Sequence, residues 1–188
     1  ENIKKAVNRA TRLTIQILDL TREDSDSQKF CNLAEIINEA FSIVKPIFSK
    51  TIDFNLDIPD IPAKIKANPT QITQVILNLL INAKKAIPED GGEININLKE
   101  VTFSNSNKYP AGDYYQLAIS DNGKGMDEET LENIFTPRYT TRSSKGGYGL
   151  GLFIIQTIVK KHGGFIDVQS ELNQGSTFKI LFNKENIN

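Results

Sequence analysis

The chain has 188 residues, 39% hydrophobic and 24% charged, with a formal net charge of −1 at pH 7. That composition suits a folded domain with a real core, and the charge balance leaves neither a basic field for nucleic acid nor a polybasic patch for membrane contact. Cys31 is the only cysteine, which excludes an internal disulfide and a cysteine-rich zinc site, and no apolar run approaches the roughly 20 residues that span a bilayer. No signal peptide is visible. A start at Glu1, without Met and inside a helical pattern, is what a fragment of a longer parent would show, and that parent could be membrane-anchored.

Residues 1 to about 22 have a heptad-like seam, Ala6, Ala10, Leu13, Ile17 and Leu20, suited to packing against another helix. The polar run Glu23–Gln28 breaks the pattern. The expected organisation is therefore a helix from a separate, dimeric element over 1–24, followed by a domain over 25–188. A short strand is expected at Lys29–Leu33, where Cys31 reads as a small buried thiol. An amphipathic helix follows over Leu33–Phe48, with Pro46 kinking or ending it. Strands are expected at Thr51–Ile58 and Ala63–Ala67.

Asn68–Ile87, NPTQITQVILNLLINAKKAI, reads as a helix with two jobs. Asn68 is an N-cap, Pro69 suits the first helical position, and Gln71 can close a capping box. Ile72, Val75, Ile76, Leu79, Leu80, Ala83 and Ala86 give a broad apolar face. Asn78, Asn82 and Lys85, at i, i+4 and i+7, form a polar stripe beside it. Asn is a mediocre helix former, so two of them one turn apart are costly unless something bonds them. They are either solvated helix residues or groups that look into a cleft.

Strands follow at Glu93–Phe103 and Tyr114–Ser120, with a polar hairpin loop between them at Ser104–Gly112. Residues 121–151 read as mostly irregular, a length typical of lids. A helix at Gly151–His162 and strands at Gly164–Ser170 and Ser176–Phe182 end the chain. The sum is an α+β fold, with helices on one face of a mixed, mostly antiparallel sheet.

The residues with chemistry surround the long loop. DNGKGM, Asp121–Met126, follows a strand; Asp121 can accept two donors, and Gly123 and Gly125 let backbone approach a flat ligand, although an ordinary turn explains the same residues. GGYGLGL, Gly146–Leu152, runs into a helix. Its Gly147, Gly149 and Gly151 amides sit where an anion is favoured, or form a hinge. Thr140, Thr141 and Arg142 could reach phosphate oxygens or lie solvated. There is no Walker A sequence, and the glycine run misses the dinucleotide fingerprint.

NLLINA, DNGKGM, IFTPRYTTR, GGYGLGL and QGSTF, in that order, resemble the N, G1, F, G2 and G3 boxes of sensor histidine kinases. The resemblance covers nearly all of 29–182, and RLTIQILDLTRED, Arg12–Asp24, resembles the second helix of their dimerisation and phosphotransfer hairpin. It implies the Bergerat ATP-binding α/β sandwich of the gyrase, chaperone and histidine-kinase ATPases, with a mobile lid at about 122–150. By that resemblance Asp121 accepts the adenine amino group, Gly123 and Gly125 shape the wall, and Ser176 supports the base. Asn82 offers an oxygen to Mg²⁺, Asn78 places phosphates and metal waters, and Lys85 neutralises phosphate charge. Thr141, Arg142, Gly147, Gly149, Leu150 and Gly151 belong to the lid that holds the β and γ phosphates, and Phe135 docks it.

Gyrase-like members carry Glu where this chain has Asn78. Asn cannot take a proton, so the resemblance implies ATP held for phosphoryl transfer rather than hydrolysis. The acceptor would be a histidine absent from this chain, with relay to a response-regulator receiver domain, in a cytoplasmic homodimer. His162, the only histidine, sits in KKHGG at a helix end and reads as structural; its cationic form would suit that end. Three departures stand out: Asn68 where Asp is usual, Ala86 where an aromatic ring is frequent, and Arg138 where an aromatic residue is common. The alternatives are a serine or other protein kinase of the same superfamily, such as an anti-sigma-factor kinase, and a nucleotide-sensing module without catalysis.

Overall fold

Alternation along four strands places Ile96, Ile119, Phe178 and Val168 in one rung across a sheet, and Leu98, Leu117, Ile180 and Ile166 in the next. The computed structural model that shows this pairing describes residues 28–60, 62–104, 108–140 and 149–185. The helix expected over 1–22 and the boundary at 24/25 lie outside them.

In chain order the elements are β1 (Lys29–Asn32), α1 (Leu33–Val44), β2 (Ile52–Asp57), β3 (Lys64–Ala67), α2 (Pro69–Ala86), β4 (Gly92–Phe103), β5 (Gly112–Asp121), α3 (Glu128–Asn133), α4 (Gly151–Lys161), β6 (Phe165–Glu171) and β7 (Gly175–Asn183). Five strands form one sheet in the order β2-β4-β5-β7-β6. β2 and β4 are parallel, and the other pairs are antiparallel. Helices α1, α2 and α4 bury their apolar stripes in one core with the inner sheet face. The α+β architecture expected from the sequence is the one observed. Each fully buried Leu or Ile of this core contributes about 1.5–3 kcal/mol through removal from water.

β1 and β3 form a separate two-stranded antiparallel sheet, with Cys31 opposite Ile65. Asn32 joins it to α1: its side-chain oxygen accepts the Ala34 N–H, which caps the helix, and also the Ala63 N–H. Cys31 is half-buried rather than enclosed, with Sγ directed at the Ile65 carbonyl. α1 stops at Val44, earlier than the pattern suggested, and Lys45–Ile47 tighten into a 3₁₀ turn containing Pro46. β4, β5 and β7 run one or two residues longer than expected, β1, β2 and β3 are one residue shorter at one or both ends, and β6 is shifted by one.

Two local expectations are corrected. First, the stretch read as mostly irregular contains a short helix that was not foreseen, α3, capped by Asp127, whose carboxylate accepts the Thr130 N–H at 2.8 Å. A hydrogen bond from the Thr130 side chain, and after it the one from the Thr130 N–H, hold the Asp127 carboxyl below its usual range. Second, the start of α2 is only half a capping box. Asn68 does cap it, accepting the Gln71 N–H at 3.3 Å. The Asn68 N–H, however, donates to Nε2 of His162, 3.0 Å away. Nδ1 of the same ring, 2.8 Å from the Ile158 carbonyl, donates there. An Nε2 that accepts carries no proton, so His162 is a neutral, buried clasp between the end of α4 and the start of α2, not a cation at a helix terminus.

The outer sheet face is polar near β2, where Asn55 donates to Glu93 and Asn95, and Asn97 donates to Asp57. At its other end Phe103, Tyr109, Tyr114 and Phe165 make an aromatic cluster.

Candidate functional site

The inner sheet face changes character at one rung. Beyond the two apolar rungs come Ile94, Asp121, Ser176 and Ser170, each opposite the next. Strand alternation therefore aims the Asp121 and Ser176 side chains to the same side as Ile119 and Phe178, toward the helices. Both are buried, Asp121 at 8% and Ser176 at 7% exposure. Asp121 Oδ1 accepts the Gly123 N–H at 2.9 Å. Ser170 Oγ lies 2.9 Å from the Gly175 carbonyl and 3.0 Å from Ser176 Oγ.

The loop after β5 is wedged between two fixed neighbours. On one side a Cβ at Gly123 would come within 2.5 Å of the Ala86 backbone, and the Lys124 N–H donates to the Ala86 carbonyl at 3.0 Å. On the other, Gly125 has φ +61° and a Cβ there would lie 1.9 Å from the Glu171 carbonyl oxygen. Asn173 N–H donates to the Lys124 carbonyl at 2.8 Å. The two glycines, expected from the sequence to admit a ligand, first admit this chain's own backbone.

Ala86 is the last residue of α2, so the loop is stitched to the end of the helix that bears the polar stripe. Asn82 and Asn78 lie one and two turns back, about 6 and 12 Å along the axis. Both asparagines are half-buried, and Lys85 is exposed. Gln74, one further turn back on the same line, is buried at 9% and was missed in the sequence. Its spacing of four from Asn78 is the signal that could have revealed it.

On either side of α3, Met126 and Phe135 are half-buried against the core. The Arg138 N–H donates to the Gly149 carbonyl at 3.0 Å. Arg138 and Gly149 both have left-handed backbones, at φ 65° and 64°. A Cβ at Gly149 would come within 2.4 Å of Arg138, whereas one at Gly151 would meet nothing within 4 Å. Leu150 precedes α4, whose N-terminus has no side-chain cap. Thr141, Arg142 and Gly147 lie outside the described residues. Among the described residues no three His, Cys, Asp or Glu side chains are grouped to hold a metal ion. A divalent cation here would have to take one or two protein oxygens and complete its shell from a ligand and water, the habit of Mg²⁺.

Comparison with known proteins agrees with this geometry. Residues 67–186 match the family described as histidine kinase-, DNA gyrase B-, and HSP90-like ATPase. Among curated relatives, the sensor kinase CckA of Brucella abortus (strain 2308) is 33% identical over 96% of this chain and 20% of its own length. The sensor histidine kinase ZraS of Escherichia coli (strain K12) is 33% identical over 94% of this chain and 35% of its own. The chain thus spans a fifth to about a third of these relatives. Among solved structures, the catalytic domain of histidine kinase ThkA superposes with a TM-score of 0.68 at 29% identity, covering 84% of this chain and 96% of that one. The chain belongs to the histidine kinase-, gyrase- and HSP90-like ATPase family. Within it, the chain has the sequence and fold of the ATP-binding catalytic domain of a sensor histidine kinase.

Proposed function

We propose that this domain binds Mg·ATP between the Asp121 rung and the α2 stripe, and presents the γ-phosphoryl to a histidine on the dimerisation helix of its parent. One observation carries the reading: a buried carboxylate closes an otherwise apolar sheet face and is stitched through Gly123 to the helix bearing Asn78 and Asn82. An apolar floor ending in fixed acceptors suits a flat base with an exocyclic amine. Asp121 takes an N–H of that amine, and Ser176 supports the base beside it. Asn82 would hold Mg²⁺ through its amide oxygen, and the ion would supply neutralisation of phosphate charge. Asn78 orients the phosphates and the waters around them. Lys85 adds a cation one turn beyond Asn82. Gly147, Gly149, Leu150 and Gly151, with Thr141 and Arg142, are the residues assigned to binding the β and γ phosphates.

The chemistry is phosphoryl transfer by positioning and charge stabilisation. A ring nitrogen of the acceptor attacks the γ phosphorus and the bond to the bridging oxygen breaks, releasing ADP. An Asn at position 78 offers no base to a competing water. His162 is no acceptor, because both its ring nitrogens are engaged in a buried clasp. The parent is a cytoplasmic homodimer, anchored in a membrane or not, that relays the group to a receiver-domain aspartate.

The test supplies labelled ATP and a separate polypeptide containing the acceptor hairpin. Acid-labile, base-stable label on that polypeptide is the expected result. Acid-stable label on a hydroxyl side chain would instead indicate a serine kinase of the same superfamily. Bound ATP with no transfer at all would indicate a nucleotide-sensing module.

A further inference from the structure

We infer that Asn122, an exposed residue to which the reading above gives no task, is a positioning residue for nucleotide binding. Its side-chain oxygen takes the place of its own main-chain carbonyl on β4, and so turns the chain out of the sheet where Gly123 must meet Asp121 and α2. The inference rests on the nucleotide reading and adds to it a residue outside the site.

β4 and β5 pair residue by residue up to Ile94 and Asp121. The next pair along the ladder is Glu93 and Asn122, and a hydrogen-bonded antiparallel pair exchanges two backbone bonds. One of them is made: the Asn122 N–H donates to the Glu93 carbonyl at 3.3 Å. The other is replaced. The Glu93 N–H donates at 2.8 Å to Asn122 Oδ1, in the side chain. Glu93 therefore keeps both of its partners, while the main-chain carbonyl of Asn122 is released from the ladder. β5 accordingly ends at Asp121.

The released backbone turns at once. The Gly123 N–H reaches back to Asp121 Oδ1 at 2.9 Å, and the Lys124 N–H reaches the Ala86 carbonyl at 3.0 Å. Only a short side chain ending in an acceptor can hold this turn, because its oxygen must reach the place of a main-chain carbonyl one bond path away. Without that oxygen, the Glu93 N–H could be met on β5 only by the Asn122 carbonyl itself. Meeting it would carry the strand one residue further and draw Gly123 off the carboxylate and off α2. Room for the amide is provided on the opposite strand: a Cβ at Gly92 would lie 2.6 Å from Asn122 Oδ1.

The experiment compares wild type with Asn122→Leu, which keeps the size without an acceptor, Asn122→Asp, which keeps the acceptor, and Gly92→Ala. Amide hydrogen exchange is read residue by residue by NMR on the ligand-free protein, relative to the intrinsic rate of each sequence, and Mg·ATP affinity by calorimetric titration. In Asn122→Leu the Gly123 and Lys124 amides should exchange about fivefold faster, the scale of one net hydrogen bond, while the rest of the β4–β5 ladder keeps its protection. ATP affinity should fall by about the same factor. Asn122→Asp should keep the protection that Asn122→Leu loses. Gly92→Ala, which crowds the oxygen from the opposite strand, should release the same two amides, and the double variant with Asn122→Leu should release them no further. Faster exchange spread evenly over β4, β5 and α2 would make Asn122 a merely structural residue and overturn the inference. Unchanged Gly123 exchange in Asn122→Leu would overturn it too, as would equal loss in Asn122→Asp, or a local loss with unchanged ATP affinity. A wild type that binds no ATP overturns the nucleotide reading and this inference together; the other contrary results, in a wild type that does bind it, overturn the inference alone.

Discussion

Asp121 is oriented by closely packed backbone and one hydrogen bond. Gly123 abuts Ala86, Gly175 abuts the Asp121 carbonyl, and the Gly123 N–H holds one carboxylate oxygen. Asp121→Asn keeps the shape and removes the charge, and it sets an amide donor group where a donor is to be received. ATP affinity should fall at least tenfold with little change in unfolding midpoint, as calorimetric titration and thermal denaturation would show. His162 makes the opposite case. Its loss should leave the binding residues in place but strand the Asn68 N–H, while the Ile158 carbonyl keeps the backbone N–H of residue 162. His162→Ala is expected to cost about 1–3 kcal/mol in chemical denaturation. Cys31 adds a pH dependence. Burial is the main cause pushing its thiol above the ordinary value of 9.0. A thiol raised in the folded state binds a proton that the unfolded chain has lost, so its contribution is intact below 9.0 and declines as pH rises above it. Cys31→Ala should flatten that alkaline decline in stability.

At the scale of elements, the loop after β5 couples a strand, a helix end and a turn. Gly125→Ala would place a Cβ 1.9 Å from the Glu171 carbonyl oxygen on a left-handed backbone. It should cost about 1–3 kcal/mol in strain and weaken ATP binding by displacing the loop, both measurable on one protein sample. Much of this arrangement was legible in the sequence. Spacing alone put Asn78, Asn82 and the apolar face on one helix, and alternation put Asp121 at a strand end. What was not legible were partners distant along the chain. Nothing local to Asn68 says that its N–H is met by a histidine 94 residues away. Alternation identifies β1 and β3 as strands but not as each other's partner. α3 has six residues, too few to show a helical period. Ser170 has no motif of its own; only the register of β6 on β7 places it beside Ser176.

At the scale of the molecule, two layers divide the work. The sheet supplies fixed acceptors at one end of an apolar face, and α2, pinned to it at Ala86 and clasped at Asn68 by α4, supplies the amide stripe. Asn82→Ala should therefore abolish the Mg²⁺ dependence of ATP affinity while leaving the fold intact, seen by titration with and without the metal. The most direct test of a site shared by both layers is a Mg·ATP titration followed by backbone amide NMR. The account expects the largest shifts together at Asn78 and Asn82 on α2 and at Asp121, Gly123, Gly125 and Ser176 on the sheet side, saturating at one stoichiometric equivalent. Shifts confined to one of these layers, or centred on the outer sheet face, would contradict it.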